Sequence, residues 1–80
     1  MSNLERYNRI FCEQFSLEKG FDGEKIKMNE TEDWDSVGHL DLIAALEDDF
    51  EIIFETADIL TFDSYLHGIE ILGKYGIEIF

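Results

Sequence analysis

The chain has 80 residues, with 6 Lys and Arg against 19 Asp and Glu, which gives a formal net charge of -13 although 45% of the residues are hydrophobic. That length predicts one small domain, 1–80, with a thin core, and the 7 Phe, 3 Tyr and 1 Trp argue against intrinsic disorder. The chain lacks the excess of basic residues that binding to phosphate backbones or anionic membrane surfaces requires. We therefore expect no nucleic acid partner and no membrane insertion, and we expect the partners to be basic proteins.

The first helix is predicted over about residues 3–18. Ser2 and Glu5 have the spacing of a capping box, and one helical stripe is formed by Leu4, Tyr7, Phe11 and Phe15. Residues 19–35 follow as a long loop. Four scattered apolar side chains are expected to pin this loop to the core, namely Phe21, Ile26, Met28 and Trp34.

The second helix is predicted over residues 36–50, and its two faces have different compositions. The inward stripe consists of Leu40, Leu42, Ile43, Leu46 and Phe50. The residues left pointing elsewhere are Val37, Asp41, Ala44, Glu47 and Asp48.

A short third helix over about residues 56–60 and a fourth over about 64–75 complete the helical pattern. The fourth helix is predicted to turn four side chains inward, Tyr65, Leu66, Ile69 and Leu72. The tail 77–80 alternates in polarity as a strand does, but no other segment offers it a sheet.

The net charge is concentrated in residues 29–72, which we call the acidic stretch. It holds 13 acidic residues and no Lys or Arg, while the remaining acids and bases balance. A run of like charge is typical both of a solvated face and of a surface that binds basic partners, so both interpretations stay open.

Targeting and redox signals are few. Glu5 and Arg6 precede any apolar run, so no secretory signal is expected, and the longest apolar run, 42–46, is too short to span a bilayer. The lone Cys12 has no partner for an internal disulfide, which fits a reducing compartment. We expect a cytoplasmic protein, and a monomer.

The segment 33–38 partly matches a calcium-binding EF-hand loop. Asp33, Asp35 and Gly38 stand at its first, third and sixth positions. Val37 stands at the fifth, however, and Ala44 at the twelfth, where a bidentate Glu is required. We therefore predict no metal site.

Ser36 lies three residues before His39, which raises the possibility of a nucleophile with its base. Trp34 occupies the place where a nucleophile elbow has Gly, and 80 residues are too few for the sheet and oxyanion hole of such enzymes. We predict no catalytic residue and expect His39 and His67 to face solvent.

Ser36 also begins the second helix, where a hydroxyl commonly acts as the N-cap. A phosphoester on this hydroxyl would meet free backbone N–H groups and the positive end of the helix dipole. Gly38 is expected to leave room beside it for a bulky substituent, and Asp35 to be available to a modifying enzyme. These features make Ser36 a candidate modification site.

The chain resembles the acyl carrier protein family in two segments, 35–43, which reads DSVGHLDLI, and 46–52, which reads LEDDFEI. The family pattern is Asp-Ser-Leu, a hydrophobic helix ending in Leu-Glu-acid-acid-Phe, and an Ile-containing turn. Val37 replaces the usual Leu, and the Pro often found before the third helix is missing. The resemblance implies an all-α fold, a small four-helix bundle with a long loop between helices 1 and 2 and a short third helix.

The resemblance also implies that Ser36 receives 4'-phosphopantetheine from coenzyme A through a magnesium-dependent phosphopantetheinyl transferase, which Asp35 would contact. The prosthetic thiol would then carry an acyl or aminoacyl group as a thioester. The docking face for loading enzymes and downstream synthases would consist of Val37, Asp41, Ala44, Glu47 and Asp48. The chain would be a stand-alone carrier and not an enzyme. An unmodified acidic interaction module and a calcium-binding protein are the alternatives.

Overall fold

Three of the helices begin after a residue whose side-chain oxygen accepts hydrogen bonds from the first turn, namely Ser2, Asp35 and Ser64. In the computed structural model, which describes residues 2–80, these caps precede α1 (Asn3–Phe15), α2 (Ser36–Phe50) and α4 (Tyr65–Lys74). The short α3 (Thr56–Thr61) has no side-chain cap. Residues 2–80 contain no β-strand, which confirms the all-α class and is consistent with a helical bundle. The predicted domain starts at Met1, which lies outside the described residues.

The end of α1 differs most from the prediction. The helix was predicted to reach about residue 18 but ends at Phe15, because Ser16 adopts a left-handed conformation with φ 53°. The N–H groups of Ser16 and Leu17 both donate to the carbonyl of Cys12, which closes the last turn. α2 has the predicted bounds, α3 extends one residue further than predicted, and α4 is one residue shorter at each end.

The core lies between α1, α2 and α4 and is rich in aromatic rings. Burial raises the pKa of Tyr7 well above its ordinary value, and its hydroxyl donates to the carbonyl of Tyr65 at 2.7 Å. The other fully buried large side chains are Phe11, Trp34, Leu42, Leu46, Phe62 and Leu72. Most of the predicted inward stripes of α1 and α2 are therefore confirmed.

The interior positions predicted for Leu40 and Leu66 are wrong. Leu40 is 63% exposed because the buried stripe of α2 includes His39 in its place. Leu66 is 49% exposed because α4 packs through Tyr65, Gly68 and residues 71–72, a stripe that advances by three and four residues per turn.

The long loop between α1 and α2 is pinned to the core as predicted. Ile26 and Trp34 are buried, and Phe21 and Met28 pack against the core in part. The loop also contains a turn of 3-10 helix (Gly23–Lys25) that the sequence pattern did not indicate. Backbone hydrogen bonds join it to the start of α4, from Met28 N to Asp63 O at 2.9 Å and from Tyr65 N to Ile26 O at 3.0 Å.

The tail alternates in burial although it forms no strand. Ile79 is buried and Ile77 is partly buried, while Glu78 and Phe80 are exposed. The Asn3 side chain donates to Glu78 O at 3.0 Å, which holds the tail against the start of α1.

Candidate functional site

Trp34 anchors the loop immediately before α2. Its indole ring is buried and stacks on Phe15, with ring centroids 5.1 Å apart. Its carbonyl accepts a hydrogen bond from Asn29 N at 2.9 Å, and Asn29 and Asp33 both adopt left-handed backbone conformations, which Asn and Asp tolerate. The loop therefore reaches α2 at a fixed position, and the residues that follow Trp34 emerge at the surface.

Asp35, and not Ser36, is the N-cap of α2. Its Oδ1 accepts hydrogen bonds from Val37 N at 3.1 Å and from Gly38 N at 2.9 Å. The capping role expected for Ser36 is therefore wrong, because the carboxylate one residue earlier reaches both N–H groups. The sequence suggested that a phosphoester on Ser36 would meet free backbone N–H groups. These two N–H groups are not free, because they already donate to Asp35.

Gly38 is required because the loop before α2 passes close to it. Its missing side chain therefore does not leave room for a substituent on Ser36. A Cβ built on Gly38 would lie 1.9 Å from the backbone oxygen of Asp33, so the loop passes directly against the first turn of α2. This close approach corrects the expectation that Gly38 leaves space beside Ser36.

Ser36 is the first helical residue of α2 and is exposed. Its hydroxyl makes no hydrogen bond to any of residues 2–80. The side chains of Val37 and Leu40, which follow it on α2, are 71% and 63% exposed. Ser36 is therefore accessible, and two exposed apolar side chains follow it on the same helix.

His39 is buried, which corrects the expectation that it faces solvent. It is only 7% exposed, and the Trp34 Nε1–H donates to His39 Nδ1 at 3.0 Å. An indole N–H is a donor only, so Nδ1 must accept and the ring proton lies on Nε2, which donates to Ile59 O at 2.7 Å. Both ring nitrogens are engaged, so His39 is not placed to act as a base for Ser36.

His67 is a different case from His39. Its ring is partly exposed, and its Nδ1 lies 3.0 Å from Asp63 Oδ1. The expectation that it faces solvent therefore holds in part.

Several acids of the acidic stretch stabilise the fold. Asp49 pairs with Arg6 at 2.8 Å and with Arg9 at 3.0 Å, which joins α2 to α1. Glu47 Oε2 accepts from Phe54 N at 2.8 Å and so fixes the turn after α2. These carboxylates have partners within the chain, and the solvated-face interpretation does not describe them.

Asp58 joins α3 to the end of α4. Its carboxylate accepts from Lys74 Nζ and from Tyr75 Oη, each at 2.6 Å, and the Tyr75 hydroxyl also accepts from Glu55 N at 2.8 Å. The bonds from Lys74 and then Tyr75 lower the pKa of Asp58, and the same contact raises the pKa of Lys74.

Four of the five residues predicted to form the docking face are exposed on α2, namely Val37, Asp41, Ala44 and Asp48. The fifth, Glu47, is half-buried because it bonds to the turn. Leu40 belongs to this surface, although sequence reasoning placed it inside. The i, i+3, i+7 spacing of Val37, Leu40 and Ala44 is the signal that could have identified it.

Other kinds of site find less support. Within residues 2–80 no three or more His, Cys, Asp or Glu side chains are grouped so that they could hold a metal ion. None of the helices in the described part of the chain is both long and apolar enough to cross a membrane. A surface cavity of about 550 Å³ is lined by residues of α1, the long loop and Tyr65, and by none from α2 or α3.

Comparisons of this chain with protein-family models, with curated proteins and with solved structures find no match. The function is therefore inferred from the residues of the chain and their geometry.

Proposed function

We propose that this chain is a stand-alone carrier protein that receives 4'-phosphopantetheine from coenzyme A on Ser36. The observation that carries the proposal is the exposed Ser36 hydroxyl, which is free of hydrogen bonds to residues 2–80 and lies at the first position of α2. The resemblance of residues 35–52 to the acyl carrier protein family supports the same assignment.

The residues around Ser36 fit this group. The hydroxyl oxygen is accessible for a phosphodiester bond, and the Asp35 cap and the buried Trp34 hold the backbone on its N-terminal side. The cap uses Asp35 Oδ1, so Oδ2 of this exposed carboxylate is left for the transferase and its magnesium ion. When bound, the group supplies a thiol on a flexible arm, where an acyl or aminoacyl cargo is held as a thioester.

The exposed surface of α2 suits partner enzymes with basic docking patches. Val37, Leu40 and Ala44 present an apolar stripe beside Ser36, and the carboxylates of Asp41 and Asp48 lie on the same exposed helix. Long-range attraction between such acids and a basic patch raises the rate of association, while the apolar contact contributes most of the affinity. A carrier that visits several enzymes in turn requires this kind of fast and reversible encounter.

The test is mass spectrometry of the intact protein after incubation with coenzyme A, magnesium and a broad-specificity phosphopantetheinyl transferase. We expect the mass gain of one phosphopantetheinyl group in the wild type and in Ser16→Ala, which removes another exposed serine. We expect no gain in Ser36→Ala. An unmodified wild-type chain, or equal modification of Ser36→Ala, would refute the assignment.

A second candidate function is an unmodified module that binds a basic protein through α2. The exposed apolar stripe of Val37, Leu40 and Ala44 favours it, because such a stripe can bind a partner whether or not Ser36 is modified. Cellular function that persists in a folded Ser36→Ala variant would support this candidate against the carrier.

A further inference from the structure

We propose that the cargo of this carrier stays outside the helical core. Because a long alkyl chain would then remain exposed to water, the cargo is a short or polar group, such as an aminoacyl, hydroxyacyl or short acyl thioester. The inference rests on the proposed attachment of phosphopantetheine to Ser36. It concerns the substrate class, which depends on whether the protein beside Ser36 can take up a long alkyl chain.

The contact between α2 and α3, beside the attachment point, is closed by a chain of hydrogen bonds. The Trp34 Nε1–H donates to His39 Nδ1 at 3.0 Å, and His39 Nε2–H donates to Ile59 O at 2.7 Å. We call this the Trp34–His39–Ile59 bridge. An alkyl chain that entered between the helices would separate these groups and leave buried donors and acceptors without partners, which is unfavourable.

The space behind the bridge is filled by aromatic rings. Phe62 is fully buried, and its ring centroid lies 6.2 Å from that of His39, 6.3 Å from that of Trp34 and 6.0 Å from that of Phe54. A Cβ built on Gly68 of α4 would lie 2.2 Å from Phe62 Cζ. Since the packing between α4 and Phe62 has no room for one methyl group, an alkyl chain would have to displace these rings.

The cavity of about 550 Å³ has a different lining. It is lined by α1 and the long loop, including Cys12, Lys19 and Phe21, together with Tyr65. None of its lining residues belongs to the Trp34–His39–Ile59 bridge. The residues of the bridge therefore do not form the mouth of this cavity.

The experiment loads Ser36 from acetyl-, octanoyl- and dodecanoyl-coenzyme A with the broad-specificity transferase, and intact mass verifies each product. In this step the Ser36 oxygen forms a bond to the β-phosphorus of the coenzyme, adenosine 3',5'-bisphosphate leaves, and the hydroxyl proton is released. We then measure the melting temperature and the rate at which hydroxylamine cleaves each thioester, relative to the same acyl group on coenzyme A.

We expect melting temperatures that do not rise with chain length, and cleavage rates that match those of free acyl-coenzyme A for all three cargoes. A melting temperature that rises progressively from acetyl to dodecanoyl, or slow cleavage of the dodecanoyl thioester alone, would overturn the inference, because either result shows burial of the chain. New NMR shifts at Phe21 and Tyr65 with dodecanoyl cargo would also overturn it.

The His39→Ala variant tests the bridge itself. Loss of both hydrogen bonds and of the ring volume is expected to create a dependence on chain length that the wild type lacks, and an identical flat response would refute the role of the bridge. Failure of the wild type to take up phosphopantetheine refutes the proposed function. A loaded protein with length-dependent protection refutes the substrate class alone.

Discussion

The substitution Gly38→Ala tests how closely the loop and α2 are packed. Gly38 lies in the first turn of α2, where alanine is normally preferred, by up to about 1 kcal/mol in a helix interior. A Cβ at this position would lie 1.9 Å from Asp33 O and 3.1 Å from Asp33 C, whereas ordinary contacts begin at 3.4 Å. Because both atoms belong to the backbone, no side-chain rotation can relieve the clash.

The size of the destabilisation depends on how far the loop must move away from α2. The loop has to retreat by about 1.5 Å to reach an ordinary contact, and it carries Trp34, whose indole bonds to His39 and stacks on Phe15. Overpacking of this kind costs about 1–3 kcal/mol, and the gain in helix propensity offsets part of it. We expect Gly38→Ala to lower the free energy of unfolding by about 1–2 kcal/mol. We also expect it to slow the modification of Ser36.

The assay is urea denaturation followed by Trp34 fluorescence and by far-ultraviolet circular dichroism. Gly73→Ala is the matched control, because Gly73 lies in α4, where an added Cβ meets no atom within 4 Å. We expect this control to be stabilised by about 0.5 kcal/mol. A Gly38→Ala protein as stable as the wild type would show that the loop does not pack against α2 as described.

The remaining predictions concern charge. The bonds that lower the pKa of Asp58 below its ordinary 3.8 contribute stability that is present above that value and is lost as the pH falls below it. Asp58→Asn should therefore flatten the fall in stability of the wild type below about pH 4, and equal slopes would contradict this. The net charge of -13 predicts a melting temperature that rises as salt increases from about 0.01 M to 0.15 M, and a constant melting temperature would count against dominant repulsion.

Helix bounds were predicted well where the residues that set them are neighbours in the sequence. The start and end of α2 agree with the prediction, although the N-cap is Asp35 and not Ser36. The end of α1 was missed because a left-handed Ser16 carries no strong signal, whereas Lys19-Gly20 offered a more conspicuous stop.

The details of the candidate site were harder to predict, because they depend on contacts between distant segments. Periodicity could have placed His39 inside, together with Leu42 and Leu46, but an imidazole is buried only when its nitrogens have partners. Those partners come from the loop and from the carbonyl of Ile59 in α3. The close approach of Asp33 to Gly38 is likewise a tertiary contact, which a single sequence does not reveal.

The net charge includes two kinds of acid, those paired with a cation of the chain and those exposed on α2. Asp49 and Asp58 are paired with cations from α1 and α4. Their charges therefore stabilise the contacts between helices more than they add to the electrostatic field outside the protein. Asp41 and Asp48 are exposed on α2, the helix that begins with Ser36. Electrostatic attraction falls off within a Debye length, about 8 Å at physiological ionic strength, so under the proposed function the acids on this helix would steer a basic partner more than the net charge of the whole chain would. The acids of the chain thus fall into two groups, those that join the helices through ion pairs and those that are exposed on the helix that begins with Ser36.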